Sequence, residues 1–134
     1  MSIEEIFERE KDDPFVNYNT IEVRIVEKDH AAVSHDILRN SMNIYGFVHG
    51  GLFAAMADNV TALAAHTDGR KYVTQHCNID YTGNQRDGTV LAEAWVKHRG
   101  RTTAIVDFCI RGREDRILVS GRYTLFCIDD GRIG

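Results

Sequence analysis

Residues 43–66 read NIYGFVHGGLFAAMADNVTALAAH, and the rest of the chain can be placed around them. A loop ends in two glycines, Gly50 and Gly51, and fifteen residues of helix-favouring sequence follow. Alanines dominate this run, and neither glycine nor proline interrupts it. The sequence therefore predicts one long helix in which Asp58 is the only formal charge at neutral pH.

A helical wheel divides this predicted helix into a bulky face and a small-residue face. The bulky face, expected to pack on the core, comprises Leu52, Phe53, Met56, Val60 and Leu63. The small-residue face, which includes Asp58, comprises Gly51, Ala54, Ala55, Thr61, Ala62 and Ala65. A dry, unpaired carboxylate is costly. Asp58 is therefore hydrogen-bonded for structural reasons, lies on a wet edge, or faces a ligand or partner helix, and the pattern leaves these alternatives open.

The composition indicates one globular domain over residues 1–134. A hydrophobic share of 43% and a charged share of 27% are ordinary for a soluble protein. The net charge of −4 gives no broad basic surface for nucleic acid. We expect a cytoplasmic protein without a membrane partner, because no apolar run approaches spanning length and no signal-peptide pattern is present.

The three cysteines, Cys77, Cys109 and Cys127, lie far apart and lack the CxxC spacing of metal sites. They are expected to be buried apolar residues of a reduced compartment, with no metal site or disulfide framework.

Before the long helix, the sequence predicts a short helix and a hairpin. Residues 1–13 read as an N-terminal helix that Ser2 caps and that Pro14 ends. Residues 20–26 alternate as a strand, with Ile21, Val23 and Ile25 expected on its buried face. A turn and a second strand over residues 31–38 follow.

After the helix, four more strands are predicted, over residues 72–82, 89–98, 102–111 and 116–128, and residues 129–134 are expected to be a flexible tail. In the first of these strands, one face is expected to carry Val73, Gln75, Cys77, Ile79 and Tyr81, and the other Thr74, His76, Asn78 and Asp80. The short loops predict antiparallel pairing, and a single apolar helix on such a sheet is an α+β arrangement. One helix cannot cover a curved sheet and also hide the face that carries Asp58, so a partner subunit is expected.

The spacing of Asn43, Gly46, His49, Gly50 and Gly51, with an aspartate seven residues later, resembles the hotdog-fold acyl-CoA thioesterases. The subgroup it resembles most is the phenylacetic-acid-degradation (PaaI-like) type, and the likeness extends over about residues 20–128. The resemblance implies a curved antiparallel β-sheet wrapped around one long central helix. It also implies an acyl-CoA substrate, with coenzyme A as part of that substrate and no separate cofactor, and a homodimer or homotetramer.

The same resemblance implies roles for five residues. His49 and the backbone of Gly50 would bind and polarise the thioester carbonyl, as an oxyanion site at a helix N-terminus does. Asp58 would act as general base or as nucleophile, and the sequence does not decide between them. Asn43 would hold the water or the histidine loop, and Thr74 would assist Asp58. Alternatively, His49 only caps the helix and the two glycines only form a tight turn.

Asp58 follows Gly50 by eight residues, which is roughly 12 Å along a helix. One reaction centre cannot easily use both groups of one chain, and the family's arrangement is a site shared between subunits.

Substrate contacts are implied at two places. Gly51 would let a substrate oxygen approach the helix, and the basic turn with Arg99, Gly100, Arg101 and Thr102 occupies the position where related enzymes meet the nucleotide phosphates of coenzyme A. The alternative for that turn is an ordinary set of solvated charges.

Two other functions are considered. Hotdog hydratases related to the R-specific type carry a histidine five residues after the catalytic aspartate, where this chain has Leu63. A non-catalytic acyl-CoA sensor of this fold would carry a DNA-binding segment before it, and the dozen residues before Pro14 are expected to be too few.

Overall fold

The computed structural model describes residues 1–128, so the predicted tail at 129–134 lies outside the described residues. Helix α1, Ile3–Glu10, begins as predicted, with the Ser2 hydroxyl accepting from the Glu5 N–H. Pro14 ends that segment but also starts a second helix, α2, Pro14–Tyr18, which Asp13 caps. Proline suits the first helical position because no hydrogen bond from its nitrogen is needed there.

None of the helices within residues 1–128 is long and apolar enough to cross a membrane.

Within residues 1–128 the strands are β1 (Ile21–Glu27), β2 (His30–Asp36), β3 (Tyr72–Tyr81), β4 (Thr89–Arg99), β5 (Thr103–Arg111) and β6 (Ile117–Cys127). These six strands form one antiparallel sheet, in the order β1-β2-β4-β5-β6-β3. Short 3-10 helices cover Arg39–Ser41 and Arg113–Asp115. The long helix α3, Gly50–His66, contacts all six strands, so the sheet wraps around it. This is the predicted α+β architecture.

The bulky face of α3 packs on the core as predicted. The small-residue face was predicted too wide. Thr61 and Ala65 are fully buried, because the curved sheet encloses more of the helix circumference than a flat layer would. Ala54, Ala55 and Ala62 remain only partly covered, and Asp58 is exposed.

A β-bulge corrects the predicted faces of β1. Val23 pairs with Val33 and Ile25 with Ala32, so Arg24 is an extra residue in the strand. The extra residue reverses the alternation that follows. Val26 therefore packs against the core, and Ile25, predicted to be buried, is exposed.

A second bulge changes β3 in the same way. Gln75 is the extra residue, because Thr74 pairs with Leu125 and His76 with Thr124. Cys77 then pairs with Tyr123, and both Leu125 and Tyr123 point into the core, so Thr74 and Cys77 share the inner face. The predicted separation of these two side chains onto opposite faces is wrong.

Strand β3 is also a sheet edge, and residues 73–78 are all exposed in the single chain. Cys77 is therefore exposed, against the prediction, whereas Cys109 and Cys127 are buried as expected. An edge strand presents unpaired backbone N–H and C=O groups to a further strand.

Candidate active site

The loop before α3 is built around the side chain of Asn43. Its amide oxygen accepts hydrogen bonds from the backbone N–H groups of Tyr45 at 2.9 Å and Phe47 at 3.2 Å. Gly46 completes the turn with a φ of +78°, a conformation that other residues adopt only at a cost. Asn43 therefore lies in the loop that carries His49 and holds its backbone.

Two residues of the loop between β3 and β4, absent from the sequence predictions, fix the same segment. The side chain of Asn84 binds both backbone groups of Val48, accepting at 3.2 Å and donating at 3.0 Å. Arg86 donates to the carbonyl of Tyr45 at 3.0 Å and lies 4.0 Å from the ring centroid of Phe47. A polar loop without periodicity gives no sequence signal for such contacts.

His49 caps α3, which is the alternative to carbonyl binding that the sequence left open for it. Its Nδ1 accepts a hydrogen bond from the Gly51 N–H at 2.9 Å. A neutral imidazole that accepts at Nδ1 carries its proton on Nε2. The cap thus leaves an Nε2–H donor on an exposed ring, so capping and a role in binding a carbonyl oxygen are compatible. His49 lines a groove of about 450 Å³, the His49 groove, together with residues of α2 and of the 3-10 helix Arg39–Ser41.

Gly50 and Gly51 are the first two residues of α3 and have no positive φ, so they do not form a separate tight turn. The N–H groups of Gly51, Leu52 and Phe53 have partners in His49. Within residues 1–128, the Gly50 N–H makes no hydrogen bond. A helix N-terminus carries partial positive charge. Gly50 therefore provides a free donor at the positive end of α3.

Asp58 lies eight residues further along α3. The Thr74 hydroxyl, from the inner face of β3, donates to its Oδ1 at 2.9 Å. The carboxylate lines a second groove of about 660 Å³, the Asp58 groove, formed by the exposed side of α3, the N-terminal helices and Tyr123. Asp58 is thus neither dry nor unpaired, and one of its two oxygens is held by Thr74.

One wall of the Asp58 groove comes from α1. The Asn59 amide donates to the carboxylate of Glu10, which ties α1 to α3. Burial raises the pKa of Glu10, although the bond from Asn59 opposes this effect. The Oδ1 of Asn59 is buried without a partner among the described residues.

The His49 and Asp58 grooves adjoin and share Phe15, Gly51 and Ala55. Eight residues of helix nevertheless place Asp58 about 12 Å from Gly50 along the axis. A single chain therefore presents the donor and the carboxylate as two half-sites.

Arg99 does not present its charge to a ligand, which corrects the prediction made for it. Its guanidinium donates to the carbonyls of Ala64 and Ala65 at the end of α3, at 3.0 and 2.9 Å. It also pairs with Asp29 at 2.8 Å and Asp68 at 2.9 Å. These contacts occupy both terminal nitrogens and Nε, so Arg99 closes the C-terminal end of the helix.

The rest of that turn is held by its backbone. Arg70 donates to the carbonyls of Gly100 at 3.0 Å and Arg101 at 2.8 Å, and the Cys127 N–H donates to the carbonyl of Thr102. The Arg101 side chain is exposed and is the cation of the predicted set that faces solvent.

The model of the thioesterase superfamily matches residues 45–119, more than half of the sequence. The chain belongs to the thioesterase superfamily. This thioester hydrolase is 28% identical over 103 residues to a putative esterase of Mycobacterium tuberculosis, covering 72% of this chain and 74% of that protein. It is 27% identical over 97 residues to the acyl-coenzyme A thioesterase PaaI of Escherichia coli, covering 72% of this chain and 69% of that protein.

Solved structures agree on the fold. The Escherichia coli PaaI protein superposes with a TM-score of 0.86 at 24% identity, over 90% of this chain and 88% of that one. A hypothetical thioesterase of Streptococcus pneumoniae, solved with coenzyme A, gives a TM-score of 0.77 at 27% identity, over 80% of this chain and 84% of that one. The predicted hotdog-fold thioesterase of the PaaI-like type is therefore confirmed.

Proposed function

We propose that this thioesterase hydrolyses the thioester of an acyl- or aryl-CoA to the free acid and coenzyme A. The observation that carries the proposal is the Asp58 carboxylate, exposed in a groove and held by the Thr74 hydroxyl at 2.9 Å. Two variant structures of the Streptococcus pneumoniae thioesterase replace an aspartate and a threonine that are sixteen residues apart. Asp58 and Thr74 have the same separation.

The chemistry follows from the two half-sites. The Gly50 N–H, helped by Nε2–H of His49, would donate to the thioester oxygen, on which negative charge develops. In the general-base form, Asp58 takes a proton from water as the water oxygen bonds to the carbonyl carbon. The carbon–sulfur bond then breaks, and the thiolate receives that proton. In the nucleophilic form, the carboxylate attacks the carbonyl carbon, and the carbon–sulfur bond breaks to release the thiolate and leave a mixed anhydride. Water then hydrolyses this anhydride to the free acid and the regenerated carboxylate, and the remaining proton goes to the thiolate.

A second copy of the chain would complete the site, which is our proposal for a homodimer. Along β3, Thr74 contacts Asp58 and Tyr81 contacts the Gly50 carbonyl at 3.4 Å. Antiparallel pairing of two exposed β3 edges about a two-fold axis reverses one strand against the other. The end of β3 that carries Tyr81 would then lie beside the end of the second copy's β3 that carries Thr74. This brings Gly50 of one copy close to Asp58 of the other.

The test is thiol release from a panel of acyl- and aryl-CoA thioesters by the wild-type protein and by Asp58→Asn. The asparagine keeps the size of the side chain but removes the base and the nucleophile. We expect turnover of at least one thioester, and a fall in kcat of about 100-fold or more in the folded variant, with acyl-CoA still bound. Near-normal kcat in Asp58→Asn would make Asp58 structural. Binding of every tested acyl-CoA without hydrolysis would indicate a sensor.

A further inference from the structure

Tyr123 forms part of the floor of the Asp58 groove. It lies on the inner face of β6, opposite Cys77 of β3, and its side chain is almost wholly buried. Its ring packs edge-on against Phe108, with 5.7 Å between the ring centroids. The aromatic ring is thus fixed by the core, and its position does not depend on a ligand.

The hydroxyl of Tyr123 is surrounded by groups that keep it protonated. Burial is the largest effect that raises the pKa of Tyr123, and the negative charge of Asp58 is the second, with a smaller effect from Cys77. Its partner across the β3–β6 ladder is Cys77, whose thiol is at best a weak acceptor. A neutral O–H donor therefore belongs to the same groove as Asp58, with no strong acceptor opposite it on β3.

Asp58 and Tyr123 offer complementary groups to a water molecule. Thr74 occupies Oδ1 of the carboxylate and leaves the second oxygen to accept. A water that donates to this oxygen can accept from the phenol, and two such bonds orient its remaining lone pair. Buried polar groups with an unfilled hydrogen bond commonly hold an ordered water in this way.

We propose that Tyr123 is a catalytic residue that donates a hydrogen bond to the water activated by Asp58. This inference rests on the proposed function in its general-base form. The water proton passes to Asp58, the water oxygen bonds to the carbonyl carbon, and the proton leaves with the thiolate. Tyr123 keeps its own proton throughout, and its hydrogen bond strengthens as the water oxygen gains negative charge.

The experiment compares Tyr123→Phe with the wild type on one thioester that the wild type hydrolyses. Loss of one hydrogen bond should lower kcat about 3- to 10-fold and leave KM within about twofold, because the water and not the acyl-CoA loses a contact. Tyr72→Phe is the matched control. It also removes a buried phenol hydroxyl, but one bonded to Asp68 near the far end of α3, and should leave kcat within about twofold. A wild-type kcat in Tyr123→Phe overturns the proposal.

Two further variants separate catalysis from packing. Cys77→Ala removes the protein neighbour of the phenol, so an equal loss of kcat there would make the hydroxyl structural. In the Asp58→Asn background, Tyr123→Phe should cause no further loss, whereas a full additional loss contradicts a shared water. Should Tyr123→Phe fail to fold, a crystal structure of the wild type decides. Absence of a water within about 3.2 Å of both the phenol and the Asp58 carboxylate overturns the proposal. An inactive wild type would instead refute the proposed function.

Discussion

The Thr74 hydroxyl donates to Oδ1 of Asp58 at 2.9 Å, and this bond joins the edge strand β3 to the middle of the long helix α3. Both residues are exposed in the single chain, so the bond contributes little to folding by burial. Its effect is to fix the rotamer of the carboxylate and to select which oxygen faces the groove. Positioning of this kind is what a reactive group needs before it acts.

Thr74→Val should therefore lower kcat by about tenfold, because a hydrogen bond to a charged group is lost while the side-chain shape is kept. Thr74→Ser, which keeps the hydroxyl, should retain most of the wild-type kcat. Steady-state kinetics on the same thioester, with thermal unfolding as the folding control, make the comparison. Equal rates for the valine and wild-type proteins would remove Thr74 from the site.

Arg99 and Arg101 should affect different observables. Arg99→Lys breaks buried contacts with the end of α3 and should lower the free energy of unfolding by about 2–4 kcal/mol. We propose that the exposed Arg101 meets a nucleotide phosphate of coenzyme A, so Arg101→Ala should leave stability unchanged and raise KM for acyl-CoA about three- to fivefold. Denaturant unfolding and KM measurements distinguish the two. The KM effect should vanish with an acyl-pantetheine, which lacks the nucleotide, and an equal effect on both substrates would contradict phosphate binding.

Periodicity is sufficient to predict α3 and the positions of the strands along the chain, because both depend on long alternating or amphipathic runs. It cannot locate the bulges at Arg24 and Gln75, because an extra residue in a strand leaves no mark in the composition of the sequence. That extra residue nevertheless moves every later side chain of the strand to the other face. Alternation alone therefore places Ile25 in the core and puts Thr74 and Cys77 on opposite faces of the strand.

For the candidate site, the spacing from Asn43 to Asp58 identified the loop and the helix that hold the half-sites. Contacts between elements distant in sequence were not predictable. Asn84 reaches Val48 across 36 residues, and Arg99 reaches Ala65 across 34, and neither side chain differs in sequence from an ordinary solvated residue. Only the folded chain shows that the Arg99 guanidinium bonds to the end of α3 whereas the Arg101 side chain is exposed.

His30 should make stability depend on pH. Its two ring nitrogens lie 2.6 Å from the carboxylates of Glu27 and Glu93, which can only accept, so hydrogen bonds to both carboxylates require the doubly protonated ring. Burial would lower the pKa of His30, but these two carboxylates outweigh it and raise the pKa above 6.5. The resulting stability is fully present below about pH 6.5 and is lost as pH rises through the folded-state pKa.

Urea unfolding of wild type and His30→Gln at pH 6 and pH 9 measures this effect. The free energy of unfolding of the wild type should exceed that of the variant by roughly 1 kcal/mol more at pH 6 than at pH 9. This value is modest because Glu27 is largely exposed. Glu27→Gln should remove part of the pH dependence. A difference between wild type and His30→Gln that does not change with pH would contradict a charged His30.

The shared site gives a prediction about mixtures. If His49 and Gly50 act with the partner subunit's Asp58, a dimer of one His49→Ala chain and one Asp58→Asn chain has one site with both defects and one with neither. Random pairing of two inactive variants makes half the dimers mixed, so about a quarter of all sites should recover, provided that the sites act independently. If each site lay within one chain, every site would keep one defect. The two variants are refolded together, mixed dimers are confirmed by mass spectrometry, and thiol release is compared with each parent. No recovery among confirmed mixed dimers would rule out the shared site.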